Sequence, residues 1–364
     1  MEWLRSWLFT GFTWLSPADT LVNFGFAPIL PITGTLGPSY LFYTLTALLL
    51  YALLEKKLKV SLLFLASLLG TILLLWSLQK ISYTKPINKK IYTQIIQSHF
   101  TKKENSKRYK IIKRVKHFQK LALQEPQAEL SVWSESTMSV EYKNVKRHLK
   151  NGFEKLRKNN VEVLYGSYVN SKNILMQNSN EKVAYSKQHL MPFGEYTPTW
   201  LVAFKTLLPN LENSNLKSSV NVRNIDLNGT ILAPSICYEL LFPDELRTLS
   251  SKANVLVHIS NLGWFDHTWA QSYFLNLAKM RSLEHGKPMI YVVNAGNSAF
   301  ILPNGKIEKV SNSTKGTQAL YNHVQPYEGQ TPYAIYGNKP ILYLLMLLLG
   351  IYLLIGGGRD VLKK

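Results

Sequence analysis

The chain has 364 residues, 46% of them apolar, and its 42 Lys and Arg against 22 Asp and Glu give a formal net charge of +20. A single cysteine excludes an intramolecular disulfide and any multi-cysteine metal site. Only nine of the cations are Arg, and no helix-turn-helix or zinc spacing is present, which speaks against nucleic acid as a partner; a basic face held to an anionic bilayer and a plain lysine bias both account for the charge.

Apolar residues crowd into the first 80 positions and the last 25. Met1 to Leu15 is apolar and aromatic but too short to cross a bilayer, and it lacks the small-residue cleavage site of a signal peptide. Residues 16–35, with Pro17, Pro28 and Pro31, read as loop. Leu36 to Leu54 and Val60 to Leu78 each have the length of a membrane span, and the five residues Glu55-Lys56-Lys57-Leu58-Lys59 join them in a tight hairpin. Trp76 is a natural interface anchor. Ile341 to Ile355 is a third apolar run, short alone, which Pro340 and the Tyr333 to Tyr336 stretch carry into the interface. Lys56, Lys57 and Lys59 in the hairpin, and Arg359, Lys363 and Lys364 at the C-terminus, would both lie in the cytoplasm under the positive-inside rule. The expected organisation is a membrane domain at 1–84, a periplasmic domain at 85–338, and a C-terminal transmembrane helix with its tail at 339–364.

The middle of the chain alternates short β-branched runs with amphipathic helices. Ile91 to Ile96 and Leu130 to Trp133 read as strands. Lys107 to Glu125 reads as a helix, with Ile111, Ile112, Val115, Phe118 and Leu121 at helical spacing, and Val140 to Asn159 as a second. Strands follow at Glu162 to Tyr168, Asn173 to Gln177 and Val183 to Ser186. Val220 to Leu227 and Thr230 to Ile236 form a hairpin through Asn228-Gly229. Leu240 to Lys252 and Trp269 to His285 read as helices, Val255 to Ile259 and Met289 to Asn294 as buried strands. Ser298 to Leu302 and Lys306 to Val310 make a last hairpin through Pro303-Asn304-Gly305. This is an α/β domain with helices covering sheets.

Three residues fall just after predicted strands: Glu135, Lys187 and Cys237. Acyl transfer needs these three kinds of group. A thiol attacks a carbonyl, a carboxylate takes the thiol proton and later activates a second nucleophile, and a fixed cation with the backbone N–H after the cysteine stabilises the oxyanion. Taken singly, each has a bland reading. A lone Cys is usually a small buried hydrophobe, a strand-end Glu a cap, and a Lys surface charge. His189 and His258 have no partner at metal-ligand spacing and read as structural. Trp264-Phe265 is either core or the wall of an acyl pocket.

The local wording adds to this. Lys187-x-His189-Leu190-x-Pro192-Phe193-Gly194-Glu195-Tyr196-x-Pro198 and Cys237-Tyr238-Glu239-x-x-Phe242-Pro243 resemble the nitrilase, or carbon–nitrogen hydrolase, superfamily, and more narrowly its membrane branch, the apolipoprotein N-acyltransferases. Ser260-Asn261-Leu262-Gly263-Trp264-Phe265, Ala278 to Pro288, Asn294 to Ala299, Glu2 to Phe12 and Thr331 to Ala334 continue the resemblance in order along nearly the whole chain. It implies a nitrilase-type αββα sandwich on an N-terminal helical membrane domain with a C-terminal transmembrane helix, in the bacterial inner membrane with the catalytic domain in the periplasm. It implies that Cys237 takes an acyl chain from a phosphatidylethanolamine-like phospholipid and passes it to the α-amino group of a diacylglyceryl apolipoprotein. Glu135 matches the general base and Lys187 the oxyanion-stabilising lysine; Glu195, Tyr238 and Glu239 match further positions the family needs. No cofactor or metal is implied.

The sequence departs from the family pattern in places. More membrane helices precede the Glu2-Trp3-Leu4-Arg5 segment in the family, so the expectation is a truncated start or a reduced bundle. Ser134 stands where a Pro is usual, no Trp occurs between Phe100 and Tyr109, Gln271-Ser272 replaces a Gln-His pair, and Tyr291 replaces an Arg. Two alternatives stay open: a membrane-tethered nitrilase-type amidase or acyltransferase with another acceptor, and an inactive paralogue that binds lipoproteins.

Overall fold

The computed structural model describes all residues except 101–106, 180, 199–215, 220–222, 266–267, 312–315 and 362–364. Two six-stranded sheets lie face to face. The first has the order β13-β2-β3-β4-β5-β6, from β2 (Ile91–Gln97), β3 (Leu130–Trp133), β4 (Glu162–Val169), β5 (Lys172–Gln177), β6 (Lys182–Ser186) and β13 (Gln318–Val324). The second has the order β12-β11-β10-β9-β8-β7, from β7 (Ile225–Leu227), β8 (Thr230–Ile236), β9 (Val255–Asn261), β10 (Met289–Asn294), β11 (Ala299–Ile301) and β12 (Ile307–Val310). In each sheet the three central strands, β2-β3-β4 and β8-β9-β10, run parallel. A two-stranded ribbon pairs β1 (Thr84–Pro86) with β14 (Tyr327–Gly329).

Helices Arg108–Leu123 and Lys146–Lys158 cover the first sheet, and Pro243–Ser250 and Ala270–His285 the second, which makes the αββα sandwich. Ile111, Val115, Phe118 and Ala122 recur every three or four residues, so one stripe of the Arg108–Leu123 helix is wholly buried. That stripe meets Trp133, whose ring packs against Phe118, Phe153 and Tyr165 and whose N–H donates to Ser131 Oγ at 2.9 Å. The parallel central strands are buried on both faces, as the apolar runs Val255 to Val257 and Met289 to Val293 show.

Several expectations needed correction. The hairpin between the apolar helices Leu36–Glu55 and Leu58–Leu78 is two residues long, not five, because Lys56 turns the chain at φ 51° and helix resumes at Leu58. Residues 16–35 are not loop but a chain of short helical turns, with Pro17 and Pro31 in first turns, where their missing N–H costs nothing. The Val140 to Asn159 run breaks at Val145 into a 3₁₀ turn, Tyr142–Asn144, and a helix. Leu240 to Lys252 breaks at Phe242, since Pro243 has no N–H to continue the preceding turn and starts a new helix. β13 and β14 fall in a stretch with no clear period-2 pattern and were not foreseen. Positions 220–222 of the expected hairpin lie outside the described residues; its Asn228-Gly229 turn forms, with both residues at positive φ.

The apolar helices Leu36–Glu55 and Leu58–Leu78 are long and apolar enough to cross a membrane, and most of their large side chains are exposed. The C-terminal helix runs from Lys339 to Val361. Ala18, Val22, Ile29, Leu30 and Leu75 join the core that lies between the sheets and under the Ala270–His285 helix, so the N-terminal segment packs directly on the sandwich.

Gly166 in β4 is fixed by the turn that carries Glu135. A Cβ there would lie 2.7 Å from Glu135 Cα and 2.9 Å from Ser136 N, both backbone atoms that cannot step aside. Gly166→Ala is therefore expected to cost about 1–3 kcal/mol of stability through overpacking and to displace Glu135. Thermal unfolding checks this, and a variant as stable as the parent would contradict it.

Candidate active site

The parallel strands β3, β8, β9 and β10 all end on one side, and their C-terminal ends carry Glu135, Cys237, Asn261 and Asn294. Strand ends of this kind are where open parallel sheets bind ligands. Cys237 follows Ile236 directly and sits at φ 53°, a region that costs a non-glycine residue energy. The turn it opens, Cys237–Leu241, is a short 3₁₀ helix. Lys187 follows β6, and its N–H is held by Asn173 O at 2.9 Å.

Glu135, Lys187 and Cys237 converge. Glu135 is 4% exposed and Lys187 1%, while Cys237 is half-buried. Lys187 Nζ lies 3.8 Å from Glu135 Oε1 and 2.8 Å from Glu195 Oε2. Asn173, which the sequence marks only as a strand residue, divides its Nδ2 protons between the two carboxylates, donating to Glu135 Oε1 at 2.6 Å and Glu195 Oε1 at 2.9 Å. Glu135 Oε2 accepts from the backbone N–H of Asn261 at 2.7 Å, and Glu195 Oε2 from that of Met191 at 2.8 Å. The Cys237 side chain lies beside Glu135 and Ser260. The only sign of Asn173 in the sequence was a short polar side chain near the start of a strand whose next three residues are apolar.

The electrostatics follow from this packing. Burial raises the Glu135 pKa, Lys187 opposes the shift and Glu195 adds to it. Glu195 is held below the usual carboxylate range by Lys187, its N–H partners outweighing burial. The Lys187 ammonium stays charged because its carboxylate neighbours overcome its desolvation. Burial, with Glu135 beside it, pushes the Cys237 thiol up to about 12. The resting sulfur is thus a protonated thiol beside a carboxylate. That arrangement can pass the proton to Glu135 as sulfur attacks, instead of storing a thiolate.

Tyr238 and Glu239 stand outside this cluster. Glu239 is buried behind the turn, where its Oε2 accepts from Ile236 N at 2.7 Å and its Oε1 from Gln188 N at 2.6 Å and Tyr185 Oη at 2.8 Å. It ties the cysteine turn to the loop carrying Lys187, and burial pushes its pKa up to about 7. Tyr238 donates to Gly11 O at 3.4 Å and packs against Phe242. His189 pairs with Glu245 at 2.6 Å and stacks on Phe242; His258 is buried with Nδ1 on Ser235 Oγ at 2.8 Å. Both are structural, as the sequence suggested. Tyr291, in place of the family's Arg, stacks on His258. Among the described residues, no group of three or more His, Cys, Asp or Glu side chains could hold a metal ion.

The chain matches the carbon-nitrogen hydrolase family over residues 151–333. It belongs to that family. Residues 1–48 also match the apolipoprotein N-acyltransferase N-terminal domain. Curated relatives named apolipoprotein N-acyltransferase include those of Ralstonia nicotianae, 29% identical over 94% of this chain and 67% of the relative, and Methylococcus capsulatus, 28% identical over 96% and 71%. Among solved structures, Saccharomyces cerevisiae Nit3, a member of the nitrilase superfamily, aligns with a TM-score of 0.50 at 17% identity, covering 67% of this chain and 93% of that one. A mutant of the Nesterenkonia AN1 amidase from the same superfamily also gives 0.50, at 13% identity over 71% and 98%. These likenesses establish the sandwich as a nitrilase fold.

Glu239→Gln tests the link between the two active-site loops. Either orientation of the amide would turn its NH₂ toward a backbone N–H or the Tyr185 hydroxyl. The expected cost is about 1–3 kcal/mol of stability, the penalty of an unmet buried donor, with slower acyl transfer. Thermal unfolding and single-turnover rates measure both, and an unchanged protein would mean that Glu239 is not a link.

Proposed function

We propose that this chain moves a fatty acyl group from a phospholipid, through a thioester on Cys237, to the α-amino group of the lipidated N-terminal cysteine of apolipoproteins. The observation that carries the reading is the convergence of Glu135, Lys187 and Cys237, with Lys187 Nζ 3.8 Å from Glu135 Oε1 and the cysteine beside that carboxylate, in a chain whose N-terminus matches the apolipoprotein N-acyltransferase N-terminal domain.

In the first half-reaction, Cys237 Sγ attacks the ester carbonyl as Glu135 takes the thiol proton. The Lys187 ammonium and the backbone N–H of Tyr238 receive the developing oxyanion. Collapse breaks the ester C–O bond, Glu135 returns the proton to the leaving alkoxide, and a lysophospholipid departs. In the second, the acceptor amine attacks the thioester, Glu135 takes one amine proton, an amide forms, and the sulfur leaves and is reprotonated. Glu195 and Asn173 hold Lys187 and Glu135 in register, and Glu239 holds the turn. Two nucleophiles in sequence on one thioester give ping-pong kinetics.

Both substrates are lipids, and this agrees with residues 1–84 as a membrane domain, residues 85–338 as a catalytic domain in the periplasm, and residues 339–364 as a C-terminal membrane helix and cytoplasmic tail in the bacterial inner membrane. The exposed apolar faces of Leu36–Glu55 and Leu58–Leu78 support that reading, as does the apolar helix Lys339–Leu354.

Incubation with a phospholipid is expected to leave a fatty-acyl adduct on Cys237, detectable by mass spectrometry of the intact chain, and Cys237→Ala should form none and transfer nothing. Absence of the adduct on an accessible thiol would favour an inactive lipoprotein-binding paralogue; an adduct released only to water or small amines would favour an amidase-like enzyme. The pH dependence has a fixed sign. Acyl-enzyme formation needs ionised Glu135, whose pKa is raised, so the single-turnover rate should fall as pH drops through a midpoint above the roughly 4.3 of an ordinary glutamate. A rate that stays flat down to that range would remove Glu135 as the base.

A further inference from the structure

The turn that carries Glu135 needs support from outside itself. Ser136, the next residue, lies at φ 57°, a conformation that a residue with a Cβ keeps only when its surroundings enforce it. Thr137 closes the turn from within, its Oγ1 donating to Ser134 O at 2.6 Å, and Met138 N donates to Gly166 O at 3.1 Å. Ser136 and Thr137 are both buried, so their carbonyl oxygens need donors of their own.

Arg114 supplies them. It comes from the helix Arg108–Leu123 rather than from either sheet. Its Nε donates to Thr137 O at 3.1 Å, and its Nη2 to Thr137 O at 2.8 Å and Ser136 O at 3.3 Å. Its Cζ lies 3.7 Å from the centre of the Phe100 ring, within the range of a cation–π contact. A planar guanidinium can offer N–H groups to carbonyls and a face to a ring; an ammonium has no face.

Phe100 is itself tied to the site. Its N–H donates to Asn294 Oδ1 at 2.8 Å, and its carbonyl accepts from Asn294 Nδ2 at 3.0 Å. The same Nδ2 donates to Asn261 Oδ1 at 2.8 Å, and Asn261 N donates to Glu135 Oε2 at 2.7 Å. These contacts close a ring. It runs from the Glu135 carboxylate through Asn261, Asn294 and Phe100 to Arg114, and from Arg114 back to the two residues after Glu135. The side chain and the backbone of the glutamate are thus gripped from the two ends of one circuit, and Arg114 is the link that closes it.

We propose that Arg114 is a positioning residue for Glu135, fixing its turn so that the carboxylate meets the Cys237 thiol. The inference deepens the acyl-transfer reading above and rests on it for the role of Glu135. Without the guanidinium, two buried carbonyls lose a donor, Ser136 is released to relax, and the carboxylate drifts from the sulfur. Small displacements of a reacting group cost rate steeply.

The test is alkylation of Cys237 by iodoacetamide, with the full chain in detergent micelles. It needs no lipid: the thiol proton passes to the base, a sulfur–carbon bond forms and iodide leaves. The parent, Arg114→Ala, Glu135→Gln and the double variant are compared at one pH, each first shown to keep its thermal unfolding transition. Arg114→Ala should slow alkylation about tenfold, the worth of a charge-assisted hydrogen bond. In the Glu135→Gln background it should slow it less than about twofold, because the group it positions is then gone. Arg114→Lys keeps the charge without the fork; it should fall between the parent and Arg114→Ala, and it replaces the alanine variant in the cycle if that one does not fold. Equal slowing in both backgrounds would make Arg114 a structural residue only, and no slowing would leave it without a role; either overturns the inference. So would a Glu135→Gln chain that alkylates at the parent rate, since Glu135 would then not take the thiol proton. The acyl-transfer reading fails separately. If the coupling holds but phospholipid leaves no acyl adduct on Cys237, the positioning role stands and the transfer does not.

Discussion

Lys187 lies 1% exposed between two carboxylates, and the geometry around Cys237 depends on that single buried ammonium. An isolated charge in such a place would cost several kcal/mol and would lose its proton. Glu195 at 2.8 Å prevents this, which leaves Glu135, at 3.8 Å, less tightly committed to the lysine. Asn173 stabilises the division by donating to both carboxylates. One carboxylate is thereby held ionised as the counter-ion, and the other, with its pKa raised, is left to exchange a proton with the thiol. Two like groups acquire two roles from their surroundings, a pattern common to acid–base sites.

The cluster is held at a boundary. Its members come from both sheets, and the sheets are joined near it by the parallel bridge between Ser98 and Asn294, with Asn294 also gripping the backbone of Phe100 and the side chain of Asn261. On the other side, the N-terminal segment packs against the cysteine turn. Thr13 Oγ1 donates to Leu241 O at 2.9 Å, and Trp14 packs among Phe265, Trp269, Tyr273 and Phe274. Trp264 and Trp269 remain mostly exposed beside this cluster. The apolar arm and the cysteine turn therefore form one packed unit. A change in how the arm sits would be felt at Cys237 through Tyr238, Leu241 and Phe242.

Much of the sandwich was legible in the chain because its elements have strong local signals. Val255 to Val257 and Met289 to Val293 are unbroken apolar runs, Ile111 to Phe118 keeps helical spacing, and Asn228-Gly229 favours the positive φ its hairpin needs. What failed had weak or conflicting local signals. Gln318–Val324 became a strand because β2 offered it an edge to pair with, a partner more than two hundred residues away. The stretch after Cys237 broke at Phe242 because a proline and a strained cysteine outweighed its apolar spacing.

The sequence by itself determined the residue types of the site. It supplied one thiol, a glutamate and a lysine after strands, and a second glutamate eight residues beyond the lysine, together with the two apolar helices that set the chain apart from a purely soluble sandwich. Only the tertiary structure decided which glutamate pairs with the lysine and which is left to the thiol. That choice depends on a difference of an ångström, 2.8 against 3.8 Å, between a carboxylate near the lysine in sequence and one distant from it, and on burial, which no local pattern encodes. It also decided that Glu239, two residues from the thiol, faces away from it and secures the turn. In a 3₁₀ turn of three residues per revolution, neighbours in sequence point in different directions.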